Sequence, residues 1–123
     1  MALKASKAAT VLSIARDPVD PVPNTDRHKV SRGAYTFIDD PSDYQLTVAG
    51  AGSNLHYAAA AGESLARQGI EVRIVSAPSL DIFELQDEDD KESVLPRDGK
   101  PVISVEEYIA SRLSIQEPYW ELM

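Results

Sequence analysis

Gly50, Ala51, Gly52, Ser53 and Asn54 form the stretch of this sequence best suited to hold a ligand. They lie between an apolar run and an alanine-rich one. A glycine turn from strand to helix is a common way to offer backbone N–H groups to an anion. A dinucleotide fingerprint would need a third glycine where Leu55 stands and an acid at the end of the next strand, where Ser76 stands. The lysine of a phosphate-binding P-loop is also missing. Two readings remain: an anion-binding or small-ligand turn at Gly50, Gly52, Ser53 and Asn54, or a tight strand-to-helix connection. The residue types favour the connection.

Other chemistry is weaker still. His28 and His56 are the two histidines, and neither has a histidine or cysteine three or four residues on, as zinc motifs do. The acidic run Asp87, Glu88, Asp89, Asp90 has Glu92 where a calcium loop needs glycine, so it reads as a solvated helix start with its acids against the dipole. No G-x-S-x-G occurs, and no serine is placed with a histidine and an acid. No catalytic residue, metal ligand or cofactor-binding residue is assigned.

The totals narrow the class. With 123 residues, 43% hydrophobic and 26% charged, the chain has the composition of one globular domain, with or without a tail. A net charge of −8 argues against nucleic acid or an anionic membrane as partner. The absence of cysteine excludes disulfides and thiol chemistry. No apolar run approaches the ~20 residues of a membrane helix. The segment Met1–Arg16 carries Lys4, Lys7 and Arg16 without an acid, a composition shared with transit peptides, although a short apolar segment is the plainer reading.

The elements that must position any site follow from pattern. "DPVDPVPN" (Asp17 to Asn24) holds three prolines and reads as a linker, continued by "TDRHKVSRG" to Gly33. "AYTFI" is a short strand closed by "DDPSD", and "YQLTVAG" is a strand apolar enough to be covered on both faces. A helix capped by Ser53 or Asn54 presents Leu55, Ala58, Ala59, Gly62, Leu65 and Ala66 as one stripe, and Gly69 ends it. "IEVRIVS" alternates, with Ile70, Val72 and Ile74 on one face and Glu71 and Arg73 on the other. "APSLDIFELQ" and "DEDDKESVLP" each contain a short helix, "PVISV" is another parallel strand, and "EEYIASRL" opens a last helix.

The whole run "LTVAGAGSNLHYAAAAGESLARQGIEVRIVSAPSLDIFELQDEDDKESVLP" resembles the start of the C-terminal domain of transketolases. That domain has a strand ending in a G-S turn, an alanine-rich helix, a "VRVVS-x-PS" segment, a phenylalanine-containing turn and an "SVLP"-like segment. "RGAYTF" is similar to the "RGAY" that opens it, "ISVEEYIA" to its next strand and helix, and "MALKAS" to the last strand of the preceding pyrimidine-binding domain. "GSNLHYA" and "SVEEYIA" look nearest to the fungal branch that includes dihydroxyacetone synthase. The resemblance runs from about Met1 to Ser111 and is most specific over Val72 to Pro96.

It implies an α/β fold, a three-layer α/β/α domain whose mostly parallel sheet has order 1-3-2-4-5 with an antiparallel first strand. This chain would supply strands one to four at Ala34–Ile38, Gln45–Ala49, Glu71–Ser76 and Val102–Val105, and the last strand is expected to be missing. The implied division is a remnant of the preceding domain with the linker at 1–32, an incomplete C-terminal domain at 33–113 and a divergent tail at 114–123. The parent would be a thiamine-diphosphate-dependent ketol transferase whose thiamine diphosphate and magnesium sites lie in domains absent here, so this chain is expected to hold no cofactor. Its partners would be the remaining transketolase domains, or a second copy through an open sheet edge at Val102, Ile103 and Val105. The alternatives are a stand-alone interaction module or a small-ligand regulatory module. Cytosol is the expected compartment. "SRL" (Ser111 to Leu113) resembles a peroxisomal address, as the parent could carry, but such signals are read at a free C-terminus and ten residues follow it.

Overall fold

The computed structural model describes residues 18–37 and 40–105, with isolated positions between 7 and 16. The expected last helix, the "SRL" tripeptide and the tail lie outside the described residues. Four strands and three helices are described: β1 (Tyr35–Thr36), β2 (Leu46–Gly50), α1 (Leu55–Ala66), β3 (Val72–Ser76), α2 (Leu80–Glu84), α3 (Glu88–Val94) and β4 (Val102–Val105). The sheet order is β1-β3-β2-β4, with β1 antiparallel to β3 and β2 parallel to both β3 and β4. This is the order and polarity expected for the first four strands. None of the described helices is long and apolar enough to cross a membrane.

Both faces of the sheet are covered, which makes three layers. Successive residues of a strand face opposite sides, and β2 uses both. Val48 joins Ala58 and Val72 in the core under α1, while Ala49 joins Val75, Phe83, Leu95 and Val102 in the core under α2 and α3. On α1 the stripe is centred on buried Ala58 and Gly62, with Leu55, Ala59 and Leu65 half-buried; Ala66, expected within it, is exposed at the last turn. Gly69 closes the helix as expected: its N–H reaches Ala66 O at 3.0 Å while the Ile70 N–H reaches Leu65 O at 3.0 Å, the paired bonds of a Schellman motif.

One expectation needs correction. The first strand is shorter than Ala34–Ile38: only Tyr35–Thr36 pairs in ladder register, and Ile38 is outside the described residues. The alternation in β3 holds, and α3 covers the face that carries Arg73. Arg73 is buried, and its guanidinium grips the Asp40 carboxylate through Nε at 3.0 and 3.1 Å and Nη2 at 2.8 Å, while Nη2 also donates to Ser93 O at 2.9 Å. A buried guanidinium persists only when its donors are matched.

Tyr44 extends this network. Arg73 Cζ lies 5.0 Å and Lys100 Nζ 4.0 Å from its ring centroid, and its hydroxyl donates to Asp98 Oδ2. Burial, then the Asp98 carboxylate, push the Tyr44 hydroxyl up to about 12. Burial alone would raise Asp98, but the Tyr44 hydroxyl, the Lys100 N–H and the Lys100 charge hold it below the ordinary carboxylate range. These contacts tie the start of β2 to the turn before β4.

The linker also makes contact with the domain. Lys29–Arg32 forms a 3-10 turn, and the Asp26 N–H donates to the Tyr35 hydroxyl at 3.3 Å. Gly33 follows at φ +86, where its carbonyl accepts from the Ser79 N–H at 2.9 Å. A Cβ at Gly33 would lie 2.3 Å from both Phe83 N and Ser79 O, so α2 can dock here only against a glycine. Gly33→Ala should therefore lower stability by about 3 kcal/mol, read as a fall in the urea midpoint; an unchanged midpoint would show that α2 docks without this close approach.

The tyrosine gives a second test. Because its pKa is raised in the folded state, its contribution is complete below its ordinary value of 10.0 and is lost as pH rises toward about 12. Tyr44→Phe should cost about 1 kcal/mol at neutral pH and should flatten the loss of stability between pH 10 and about 12. An alkaline unfolding profile that keeps its slope in the variant would refute the assignment.

Candidate functional site

The turn singled out by sequence is formed as a unit. Gly50 ends β2, Gly52–Asn54 makes a single 3-10 turn, and Asn54 is the residue before α1. The Asn54 N–H returns to Ala51 O at 3.1 Å and the Leu55 N–H to Gly52 O, so the turn satisfies two of its own donors. Gly50 has a packing reason: a Cβ there would lie 2.8 Å from Leu55 Cα and 3.1 Å from Ala58 Cβ. Gly52 sits at φ +55 with open space around it. The connection reading thus explains Gly50, and the Gly52 backbone stays accessible.

Asn54 departs from the expected cap. Neither it nor Ser53 makes a side-chain cap bond to the helix. Asn54 is 8% exposed, and its backbone is helical, at φ −83 and ψ −5, instead of in the extended geometry of a capping residue. His56 is half-buried in the first turn; its Nδ1–H donates to Ser53 O at 2.6 Å, and its ring lies against exposed Tyr57 with centroids 3.9 Å apart. That bond fixes the tautomer and leaves Nε2 as the acceptor in the neutral ring. His28 lies far along the chain, exposed, at the start of the Lys29–Arg32 turn.

The surroundings of the turn follow from topology. The chain leaves β2 through α1 to β3 on one side, and leaves β3 through α2 and α3 to β4 on the other side of β2. The reversal falls between β2 and β4, and in open α/β sheets such switch points are where ligands commonly bind. The Ala51 N–H donates to Val105 O at 3.5 Å, which ties the turn to the end of β4. Of the expected edge residues, Val102 is buried, Val105 packs into the core under α1 and Ile103 is 41% exposed.

The acidic run behaves as a helix start: the Asp87 side chain accepts from the Asp90 N–H at 2.8 Å. Among the described residues, no group of three His, Asp or Glu side chains converges as a metal site. A cluster of charge around Tyr44, made by Asp40, Arg73, Asp98 and Lys100, was missed by sequence reading. An arginine inside an otherwise apolar strand was its one signal; its partners hold structure together, and one of them, Asp40, also lines a groove. A groove of about 230 Å³ lies between Val22–Asn24, α1 and β3, lined mainly by apolar side chains.

Comparison with known proteins adds the family. The model of the transketolase-like TK C-terminal domain matches residues 33–117. The chloroplastic transketolase of Spinacia oleracea is 36% identical over 108 residues, covering 86% of this chain and 15% of the relative. Transketolase 2 of Escherichia coli is 36% identical over 112 residues, covering 89% of this chain and 17% of the relative. Among solved structures, transketolase from Leishmania mexicana superposes with a TM-score of 0.69 at 33% identity, over 76% of this chain and 13% of that one. A Pichia stipitis transketolase variant gives 0.70 at 33% identity, over 77% of this chain and 14% of that one. Sheet order, antiparallel first strand and sequence agree, and the chain belongs to the transketolase C-terminal domain family.

Proposed function

We propose that this chain is the C-terminal-domain part of a transketolase-type ketol transferase, a scaffold that packs against the catalytic domains and supports their dimer. The observation that carries this reading is coverage: a sheet with the family's order and polarity, in a chain spanning 13% of a matched transketolase structure. Thiamine diphosphate bound through magnesium needs converging oxygen ligands, and the described residues offer no such group of acids. In this reading cofactor and ketol chemistry are assigned to other domains of the parent enzyme. "GSNLHYA" and "SVEEYIA" support placing the parent in the fungal branch.

The test supplies the upstream domains separately, with thiamine diphosphate, magnesium and a ketose phosphate donor. The chain alone should show no ketol transfer, and adding it to the upstream domains should raise their turnover. Binding of thiamine diphosphate with magnesium by the chain alone, at micromolar affinity, would contradict the proposal, as would upstream domains indifferent to its addition.

One observation favours self-association as a second role. Among the described strands β4 is at an edge, and it exposes Ile103. An apolar strand edge is a template for pairing with another chain. Sedimentation should find a dimer whose population falls in Ile103→Lys. A monomer at high concentration, the same in both proteins, would remove this role.

A further inference from the structure

We infer that the groove between Val22–Asn24, α1 and β3 is a docking site for the chain's own N-terminal segment, with the side chains of Leu12 and Ile14 seated in it. Such docking is independent of the scaffold role. The groove holds about 230 Å³, less than a drug-sized ligand fills and suited to a pair of aliphatic side chains. On the α1 side it is lined by the small residues Ala59, Gly62 and Ala66, and Ile74 of β3 adds to the apolar lining. Ala66 belongs to the apolar stripe of the helix by spacing, yet it stays exposed.

The occupant follows from exposure, tether and charge. Leu12 and Ile14 are 66% and 82% exposed, and Val11 beside them is exposed too. Single exposed hydrophobes are ordinary, but neighbouring ones gain from a common cover. In an extended chain Leu12 and Ile14 share one side, about 7 Å apart. The residues that follow the segment form the groove's own wall. Asn24 stands at φ +63, a turn position that accepts Asn or Gly, and the Thr25 hydroxyl donates to Val22 O at 3.3 Å, so this wall is a defined turn. The stretch from Ile14 to Val22 reaches at most ~29 Å, while Ala59 to Ala66 covers only about 10 Å of helix. A short tether gives an effective concentration on the order of millimolar, so a weak contact suffices. The groove lining includes Asp40 and Glu63 but no Lys or Arg. Asp40 is taken by Arg73, whereas Glu63 has only the exposed Arg67 at 3.8 Å. Met1–Arg16 carries Lys4, Lys7 and Arg16 without an acid, in a chain of net charge −8.

The test uses the full chain. It has no cysteine, so Ala9→Cys supplies a single thiol for a nitroxide label. In the nitrogen-15-labelled protein the nitroxide should broaden the Ala59, Gly62, Ala66 and Ile74 amides, with the reduced label as reference. Adding Leu12→Asp and Ile14→Asp to the labelled chain should cut that broadening about threefold or more, because a carboxylate resists transfer from water to an apolar groove. Both positions are exposed, so the fold survives the change. Equal broadening with and without the two substitutions would reflect only the proximity of a tethered chain and would overturn the inference. A mixture of nitroxide-labelled chain with nitrogen-15 chain lacking the nitroxide tests a second copy as occupant. No broadening is expected in the mixture. Broadening there as strong as within one molecule would assign the groove to a second copy and overturn the inference too.

Discussion

The burial of the Arg73 charge constrains this domain more than any other single feature. A guanidinium near the start of β3 cannot be stripped of water without matched acceptors, because an unmatched buried charge costs several kcal/mol. Its acceptors come from two directions: Asp40 from the connection between β1 and β2, and Ser93 from the last turn of α3. Tyr44 offers its ring to the same cation and its hydroxyl to Asp98, so the start of β2 and the turn before β4 are drawn in. One charge on the central strand therefore fixes the relative positions of three separate segments. A hydrophobic contact could bury as much area, but it would not set direction, whereas the two-point grip on Asp40 does.

Around this point the sheet is held from both faces by small side chains. Ala58 and Gly62 bring α1 close to β2 and β3, and Gly33 lets α2 approach the start of β1. Close approach places the helix N-terminus directly over the end of β2, where the order of strands reverses. The candidate ligand position is thus a by-product of packing. Gly50 is needed so that α1 can turn back over the strand, and the same turn leaves Gly52 in open space.

Placement in the transketolase family changes how these features are weighed. The chain matches relatives over most of its own length but over 15% of the spinach enzyme. The buried charge network, the two cores and the close glycine contacts are properties a domain needs in order to be a firm platform. None of the described residues forms a constellation of nucleophile, base and oxyanion donors, and the proposed division of labour assigns that chemistry to other domains.

The sequence by itself determined the elements and their order. Alternation in Val72–Ser76, small-residue spacing in Leu55–Ala66 and glycine at position 69 are local signals, because each depends on neighbours within a few residues. The strand order came from the resemblance, not from those periodicities. Tertiary structure alone decided what each face met. Alternation puts Arg73 on the face opposite Val72 and Ile74, but it says only which residues share a side, not what covers them. Its partner Asp40 lies 33 residues away, beyond any local pattern. Asn54 looked like an ordinary helix cap for the same reason. Its cap bond is absent because the Gly52–Asn54 turn runs directly into the helix and holds Asn54 in a helical conformation.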